Sequence, residues 1–210
     1  MSLPAIKVVA AAVMDAQGRV LIAERPAGKH LAGRWEFPGG KLERGEERRA
    51  GLARELREEL GIVINGTPRP LIRLEHSYPD KHVHLDIFVV RQFQGEPQGR
   101  EGQALRWVFQ DELERVELLP ADGPIVAALR LPERLTQMIV GDLRGVACEG
   151  MADAMAASDA GADFLVMSHA LPHGEVRSIC ELVPVPVYVR GMEVEEAWEL
   201  GATGVVERAG

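Results

Sequence analysis

The chain has 210 residues, 46% of them hydrophobic and 27% charged, and a formal net charge of −8. That composition fits an ordinary globular protein of more than one domain, and two cysteines, Cys148 and Cys180, with no CxxC spacing exclude a disulfide scaffold or a structural zinc site. Up to Leu131 the charges balance at 19 basic against 19 acidic, whereas from Pro132 onward 5 face 13 with no lysine, so the surface as a whole does not suit duplex nucleic acid. No apolar run reaches transmembrane length and the first residues lack a signal-peptide pattern, so no membrane partner is expected and a reducing cytoplasm is.

Residues 6–14 (IKVVAAAVM) are apolar, and the turn DAQGR leads to a second apolar run at 20–23, a hairpin signal. Loop residues follow through RPAGKHLAGRW. The pair Gly39 and Gly40 then opens a helical stretch over 46–60, with Gly61 as its C-cap. Residues 71–76 and 83–93 read as strands around the turn YPDK, 105–109 as a short strand and 123–130 as a helix. Strands flanking one central helix, without regular βαβ alternation, predict an α+β domain with a mixed sheet packed between helices. Past Pro132 the rhythm changes. RGVAC, ADFLVMS, VPVYVRG and TGVVERAG alternate with helical stretches near 151–160, 175–182 and 194–200, the pattern of parallel strands in a smaller α/β segment. The boundary falls near Leu131, giving domains 1–131 and 132–210.

The helical stretch crowds its acids. At about 100° per residue, Glu55, Glu58 and Glu59 share one face, while Leu52, Ala53, Leu56 and Leu60 take the adjoining arc toward a core. Bunched carboxylates repel and rise in pKa unless a cation sits among them. Hard divalent ions such as Mg²⁺ prefer oxygen ligands of this kind and also bind phosphates. Arg54 sits beside the cluster, where it can pair with a carboxylate. A salt-bridged, solvated helix accounts for the composition but not for the spacing.

That spacing is Gly40, five residues, Glu46, seven residues, Arg54-Glu55-Leu56, one residue, Glu58-Glu59, one residue, Gly61-Ile62. It matches the signature of the Nudix hydrolases at every specified position. The resemblance implies hydrolysis of nucleoside diphosphates linked to another group, with Mg²⁺ as cofactor and Mn²⁺ as its substitute. It also implies metal ligation by the Gly39 carbonyl, Glu55, Glu58 and Glu59. Glu55 and Glu58 are the catalytic acids by the same match, with Glu55 doubling as general base, and Glu46 supports the loop–helix geometry through Arg54. Phosphate oxygens repel a nucleophile, so this chemistry needs cations and a deprotonated water.

Flanking stretches narrow the resemblance. WEFPGGKLERGE, YPDKHVHL, GEPQGREGQALRW and LPADGPIVAAL resemble, in order and spacing, the MutT-type 8-oxo-dGTP diphosphatases, which release 8-oxo-dGMP and pyrophosphate and cleanse the nucleotide pool. By position Glu101 resembles a further metal ligand. Arg25, Phe37, Tyr78, Lys81 and Asp122 fall at substrate-binding positions, Arg25 toward the triphosphate or the oxidised purine and Tyr78 near the base. Asp122 departs from the family's Asn (PAD here against PAN). An ionised Asp only accepts, which suits N7–H of 8-oxoguanine and opposes O6; protonated, it recovers the pair. It also suits N1–H with a 2-amino group, the 6-amino group of an oxidised adenine, or an N-cap role at 123.

The later stretches DAGADFLVMSHALPHGE and VPVYVRGMEVEEAWELGATGVVERAG resemble the later strands of thiamine-phosphate synthase-like barrels. About 78 residues cannot close such a barrel, which usually needs about 250, so a truncated half-barrel of about four strands is expected, without the synthase's activity. Uncovered edges of an open sheet favour packing on the first domain or a homodimer. His169 and His173, with Pro172 between them, are expected as surface or core residues, and Trp35, Trp107 and Trp198 as core aromatics. A small-molecule nucleotide is the expected partner. The box alone leaves open other substrates, ADP-ribose or a dinucleoside polyphosphate, and a non-catalytic base-recognition module.

Overall fold

The computed structural model describes residues 5–78 and 81–207; Pro79 and Asp80 of the expected YPDK turn lie outside them. The chain divides into two compact units, Met1–Pro68 with Glu75–Val126, and Arg69–Leu74 with Ala127–Gly210.

In chain order the first stretch runs β1 (Ala5–Met14), β2 (Arg19–Glu24), β3 (Trp35–Glu36), β4 (Gly39–Lys41), α1 (Arg48–Leu60), β5 (Val63–Ile64), β6 (Arg69–Tyr78), β7 (Lys81–Val90), β8 (Phe93–Gln94), β9 (Leu105–Phe109) and α2 (Gly123–Leu129). A seven-stranded mixed sheet follows the order β3-β2-β1-β7-β6, with β4 added to β1 and β9 to β2. The first half of β6 is counted with the second unit. β1 is apolar along most of its length and lies inside the sheet, as an unalternating strand must. It pairs parallel with β7 from Ala5 opposite His82 to Val13 opposite Val90. Its other edge is divided between β4, opposite Val8 to Ala10, and β2, opposite Val13 and Met14. The expected hairpin is present, with the Asp15 carboxylate accepting from the N–H groups of Gln17 and Arg19 at 3.0 and 2.9 Å.

α1 forms where the apolar period and both caps agree. The Glu47 carboxylate accepts from the N–H groups of Arg49 and Ala50, and Gly61 ends the helix in the left-handed region at φ 74°. The helix starts at Arg48 rather than at 46, because Glu46 folds back on Arg54 and the Glu43 N–H instead of entering the first turn. Leu52, Leu56 and Leu60 are fully buried against Val9, Ala11 and Val13 of β1, each contributing roughly 1.5–3 kcal/mol of burial. The short strands β3, β4, β5 and β8 were not legible as strands, since two or three residues carry no period.

The second stretch runs β10 (Arg134–Leu135), β11 (Ile139–Val140), β12 (Leu143–Cys148), α3 (Met151–Asp159), β13 (Phe164–Met167), α4 (His173–Leu182), β14 (Val187–Val189), α5 (Val194–Glu199) and β15 (Gly204–Val206). Its sheet has the order β10-β15-β14-β13-β12-β11, parallel except for β11. The α/β alternation expected past Pro132 is therefore present as an open half-barrel sheet, with two two-residue strands added at its margins. Helices pack one face through Val176, Ile179 and Ala197 against Leu165, Met167, Val187 and Val189. Leu143, Phe164, Val166 and Tyr188 fill the other face with Leu131 and Leu135. Phe164 meets Tyr188 edge-on at 5.7 Å, and the Tyr188 hydroxyl donates to the Pro132 carbonyl at 2.5 Å. Gly145 is required beside this pair, because a Cβ there would run into the Phe164 ring.

The tryptophans correct an expectation: all three are only partly buried, Trp107 and Trp198 packing at the margins of the two cores. His169 and His173 are exposed, beside Glu149 and Glu196 at 3.1 and 3.0 Å. Both cysteines are free and buried, and burial pushes the Cys180 thiol up to about 12. Among the described residues no helix is long and apolar enough to cross a membrane.

Candidate active site

A cavity of about 640 Å³ opens in the first unit. Alternation along β1 builds its floor: Val9, Ala11 and Val13 pack with α1, while Ile6, Val8 and Ala10 line the cavity beside Val83 and Leu85 of β7. Glycines bring the backbone close. A Cβ at Gly39, where φ is 153°, would strike Val9 and Ala10 of β1, and one at Gly40 would occupy the space of the Glu55 carboxylate.

Nine of the residues expected at the site line this one cavity: Arg25, Phe37, Gly39, Glu55, Glu59, Tyr78, Lys81, Glu101 and Asp122. Glu46, Arg54 and Glu58 do not line it and form its support. Arg54 donates through Nε and Nη2 to the two Glu46 oxygens, both at 2.9 Å, through Nη1 to Glu55 at 2.8 Å and to Glu58 at 3.2 Å, and through Nη2 to the Lys41 carbonyl at 3.0 Å. Arg54 holds the Glu46 carboxyl down to about 2, and Glu46 with Glu55 holds the guanidinium protonated. The side chain of Glu58 is 61% exposed.

Each acid facing the cavity meets a different neighbour. Glu55 has Arg54; Glu101 has Lys29, 3.1 Å away; Glu36 is paired with Arg25. Glu59 has the Gly39 N–H, which donates at 3.2 Å, and no cation among the described residues. Burial pushes its carboxyl up to about 7; the Gly39 bond opposes that shift, and Glu101, Glu55 and Glu36 add to it. Gln103 ties Glu101 to α1, its amide donating to the Glu59 carbonyl at 3.3 Å and its side-chain oxygen accepting from the Glu101 N–H at 2.8 Å.

Among the described residues no three His, Cys, Asp or Glu side chains are grouped closely enough to hold a metal ion as they stand. The donor chemistry nevertheless fits a hard divalent ion. Three oxygen donors, Glu55, Glu59 and Glu101, converge on one cavity, and burial without a cation disfavours the charge on Glu59.

Asp122, which also lines the cavity, is 3% exposed. The Phe37 N–H donates to it, its Oδ2 has no partner, and burial followed by the Glu36 charge pushes its carboxyl up to about 7. Tyr78 carries Lys81 over its ring at 5.3 Å, with His76 and His30 edge-on at 4.5 and 5.8 Å. Burial raises its hydroxyl. Arg25 is committed to the Glu36 carboxylate and, through Nε, to the His30 carbonyl at 2.8 Å.

Glu36, Lys29 and His30 also line the cavity and were not singled out from the sequence. Glu36 was legible in principle, as an acid two residues before the Pro-Gly-Gly turn. Lys29 and His30 sit in a loop whose inward fold no local pattern announces.

A family profile described as NUDIX domain matches residues 9–128. The chain belongs to the Nudix hydrolases. Among its relatives, an 8-oxo-dGTP diphosphatase of Escherichia coli is 36% identical over 56% of this chain and 91% of its own length. A CTP pyrophosphohydrolase of the same organism is 40% identical over 57% and 88%. The solution structure of the E. coli ORF135 protein is 40% identical, covers 60% of this chain and 89% of its own and has a TM-score of 0.54. A MutT Nudix hydrolase structure from Burkholderia pseudomallei is 27% identical, with coverages of 60% and 95% and a TM-score of 0.51.

Proposed function

We propose that the protein is a Mg²⁺-dependent nucleoside triphosphate pyrophosphohydrolase that converts 8-oxo-dGTP to 8-oxo-dGMP and pyrophosphate, and so removes a mutagenic precursor before DNA replication. One observation carries the reading: a carboxylate set for a divalent ion and a dry hydrogen-bonding group for a base share one nucleotide-sized cavity. Glu55, Glu59, Glu101 and the Gly39 carbonyl would hold Mg²⁺ or Mn²⁺, with Glu58 turning in from Arg54. The ion would neutralise phosphate oxygens and make water easier to deprotonate. Glu55, oriented by Arg54 and Glu46, accepts the proton of the attacking water. Lys81 and Arg25 face the polyphosphate, and Phe37 and Tyr78 flank the base, where stacking contributes on the order of 1–3 kcal/mol.

Asp122 reads the base. With its carboxyl near half-protonation at neutral pH, it presents a donor beside an acceptor, which matches O6 and N7–H of 8-oxoguanine. The same pair matches N3 and the amino group of cytosine, and the relative named for CTP makes that the second reading. Residues 1–131 carry the hydrolase in this account, and 132–210 descend from a thiamine-phosphate synthase-like barrel cut down to half, packed solid by Phe164 and Tyr188 and available for homodimer contacts.

The test is steady-state hydrolysis of 8-oxo-dGTP beside dGTP, 2-oxo-dATP, CTP and ADP-ribose, with Mg²⁺ and with EDTA. A kcat/KM for 8-oxo-dGTP far above that for dGTP, lost with EDTA, is expected. Metal-dependent preference for CTP or ADP-ribose would replace the substrate and keep the chemistry. No turnover of any of them would leave a base-recognition module.

A further inference from the structure

The loop of residues 25–34 turns three consecutive side chains, Lys29, His30 and Leu31, into the cavity. Leu31 is the one non-glycine residue with positive φ among the described residues, at 61°. A branched side chain rarely adopts that conformation, so the inward fold is held against its local preference. Arg25 holds it: its Nε donates to the His30 carbonyl, its N–H to the Arg34 carbonyl at 2.8 Å, and its carbonyl accepts from the Gly33 N–H at 3.1 Å. Lys29 is left at the mouth, about half exposed, with its ammonium 3.1 Å from Glu101.

Glu101 is fixed at its backbone, and its carboxylate meets the Lys29 ammonium. The loop that carries it is tied to the end of α1, with Arg100 N–H donating to the Glu59 carbonyl at 3.0 Å and Gln98 N–H to the Leu60 carbonyl at 3.0 Å. The backbone of Glu101 is therefore anchored beside the end of α1 that carries Glu59. A divalent ion held by Glu55, Glu59 and Glu101 would compete with the Lys29 ammonium for the Glu101 carboxylate, and the two cannot share that carboxylate without repulsion. An ammonium on a four-carbon stem, displaced at the mouth of a polyphosphate-sized cavity, has the substrate's phosphate oxygens as its nearest new partner.

We propose that Lys29 is an exchangeable counter-ion: it neutralises Glu101 while no divalent ion is bound, and passes to the polyphosphate of the substrate when Glu101 takes the ion. The inference rests on the reading of Glu101 as a metal ligand given under the proposed function. It makes Lys29 a competitor of the metal and an ally of the substrate.

The experiment is calorimetric titration of the full chain at low ionic strength, first with Mn²⁺ alone and then with inorganic tripolyphosphate in the presence of Mn²⁺. Neither step depends on turnover or on the base. Lys29→Met is expected to bind Mn²⁺ about two- to fivefold more tightly, the scale of an exposed ion pair. It is expected to bind tripolyphosphate about tenfold more weakly, the scale of a charged hydrogen bond, and Lys29→Arg is expected to restore the latter. In a Glu101→Gln background the Mn²⁺ gain from Lys29→Met should vanish. Unchanged or weaker Mn²⁺ binding by Lys29→Met, with Glu101→Gln still weakening it, overturns the exchange and leaves the metal set intact. Mn²⁺ binding indifferent to Glu101→Gln overturns both. Absence of nucleotide hydrolysis by the unsubstituted chain, with the titrations as expected, would sink the proposed reaction and support the exchange.

Discussion

The two units use their sheets in opposite ways. In the first, α1 covers one side of β1, while Ile6, Val8 and Ala10 on the alternate set line a cavity with acids at its rim. In the second, helices cover one face, and Leu143, Phe164, Val166 and Tyr188 close the other. What separates a site from a scaffold is thus the residue size at alternate strand positions. Isoleucine, valine and alanine on β1 leave room; phenylalanine and tyrosine on β13 and β14 leave none. The polar groups follow the same division. Around the cavity burial raises Glu59 and Asp122 and leaves Asp122 Oδ2 without a partner, whereas the Tyr188 hydroxyl, also raised by burial, is satisfied by a backbone carbonyl.

The largest expected effect tests the scaffold side. Phe164→Ala should destabilise the second unit by about 3–5 kcal/mol, since it opens a cavity between two filled layers. Denaturant unfolding followed at Trp198 would read it, and hydrolysis should change by less than about twofold at temperatures below that transition. Equal loss of hydrolysis would break the division of labour. On the other side, Glu59→Gln should lower kcat by about 10²–10³-fold, the scale of removing one preorganised charge from a transition state. Circular dichroism should show an unchanged fold, and substantial residual activity would remove Glu59 from the metal set.

Asp122→Asn sharpens the electrostatic contrast. The native carboxyl titrates at about 7 and an unfolded one near 3.9. The native state therefore holds the proton more tightly, and stability is lost as pH rises from about 4 through about 7. At pH 8 the Asn variant should be more stable by about 2–4 kcal/mol, and at pH 4 by nothing measurable. Urea unfolding at the two pH values decides; a variant equally shifted at both would mean that burial does not raise this carboxyl. The smallest effect belongs to Glu46→Gln, which loosens Arg54 behind Glu55. A loss of about 10–100-fold in kcat, little of it in KM, is expected.

Local pattern carried much of this. The 3.6-residue period of Leu52, Leu56 and Leu60, with Gly61 as stop, specified α1; the alternation of short apolar runs and helices past Pro132 specified the parallel sheet. The Gly40-to-Ile62 spacing carried the resemblance to the Nudix hydrolases, because glycine, carboxylate and arginine stand there at that family's intervals, and the family match over residues 9–128 agrees with it. What the tertiary structure alone decided were contacts between residues far apart in the chain. β3 and β4 exist because β1 and β2 offer edges to pair with, although two or three residues have no period of their own. Arg25 meets Glu36, Lys29 reaches Glu101 across 72 positions, and Glu59 receives the Gly39 N–H. Asp122 is dry because the fold buries it, and its charge state follows from that burial, which no single stretch of sequence expresses.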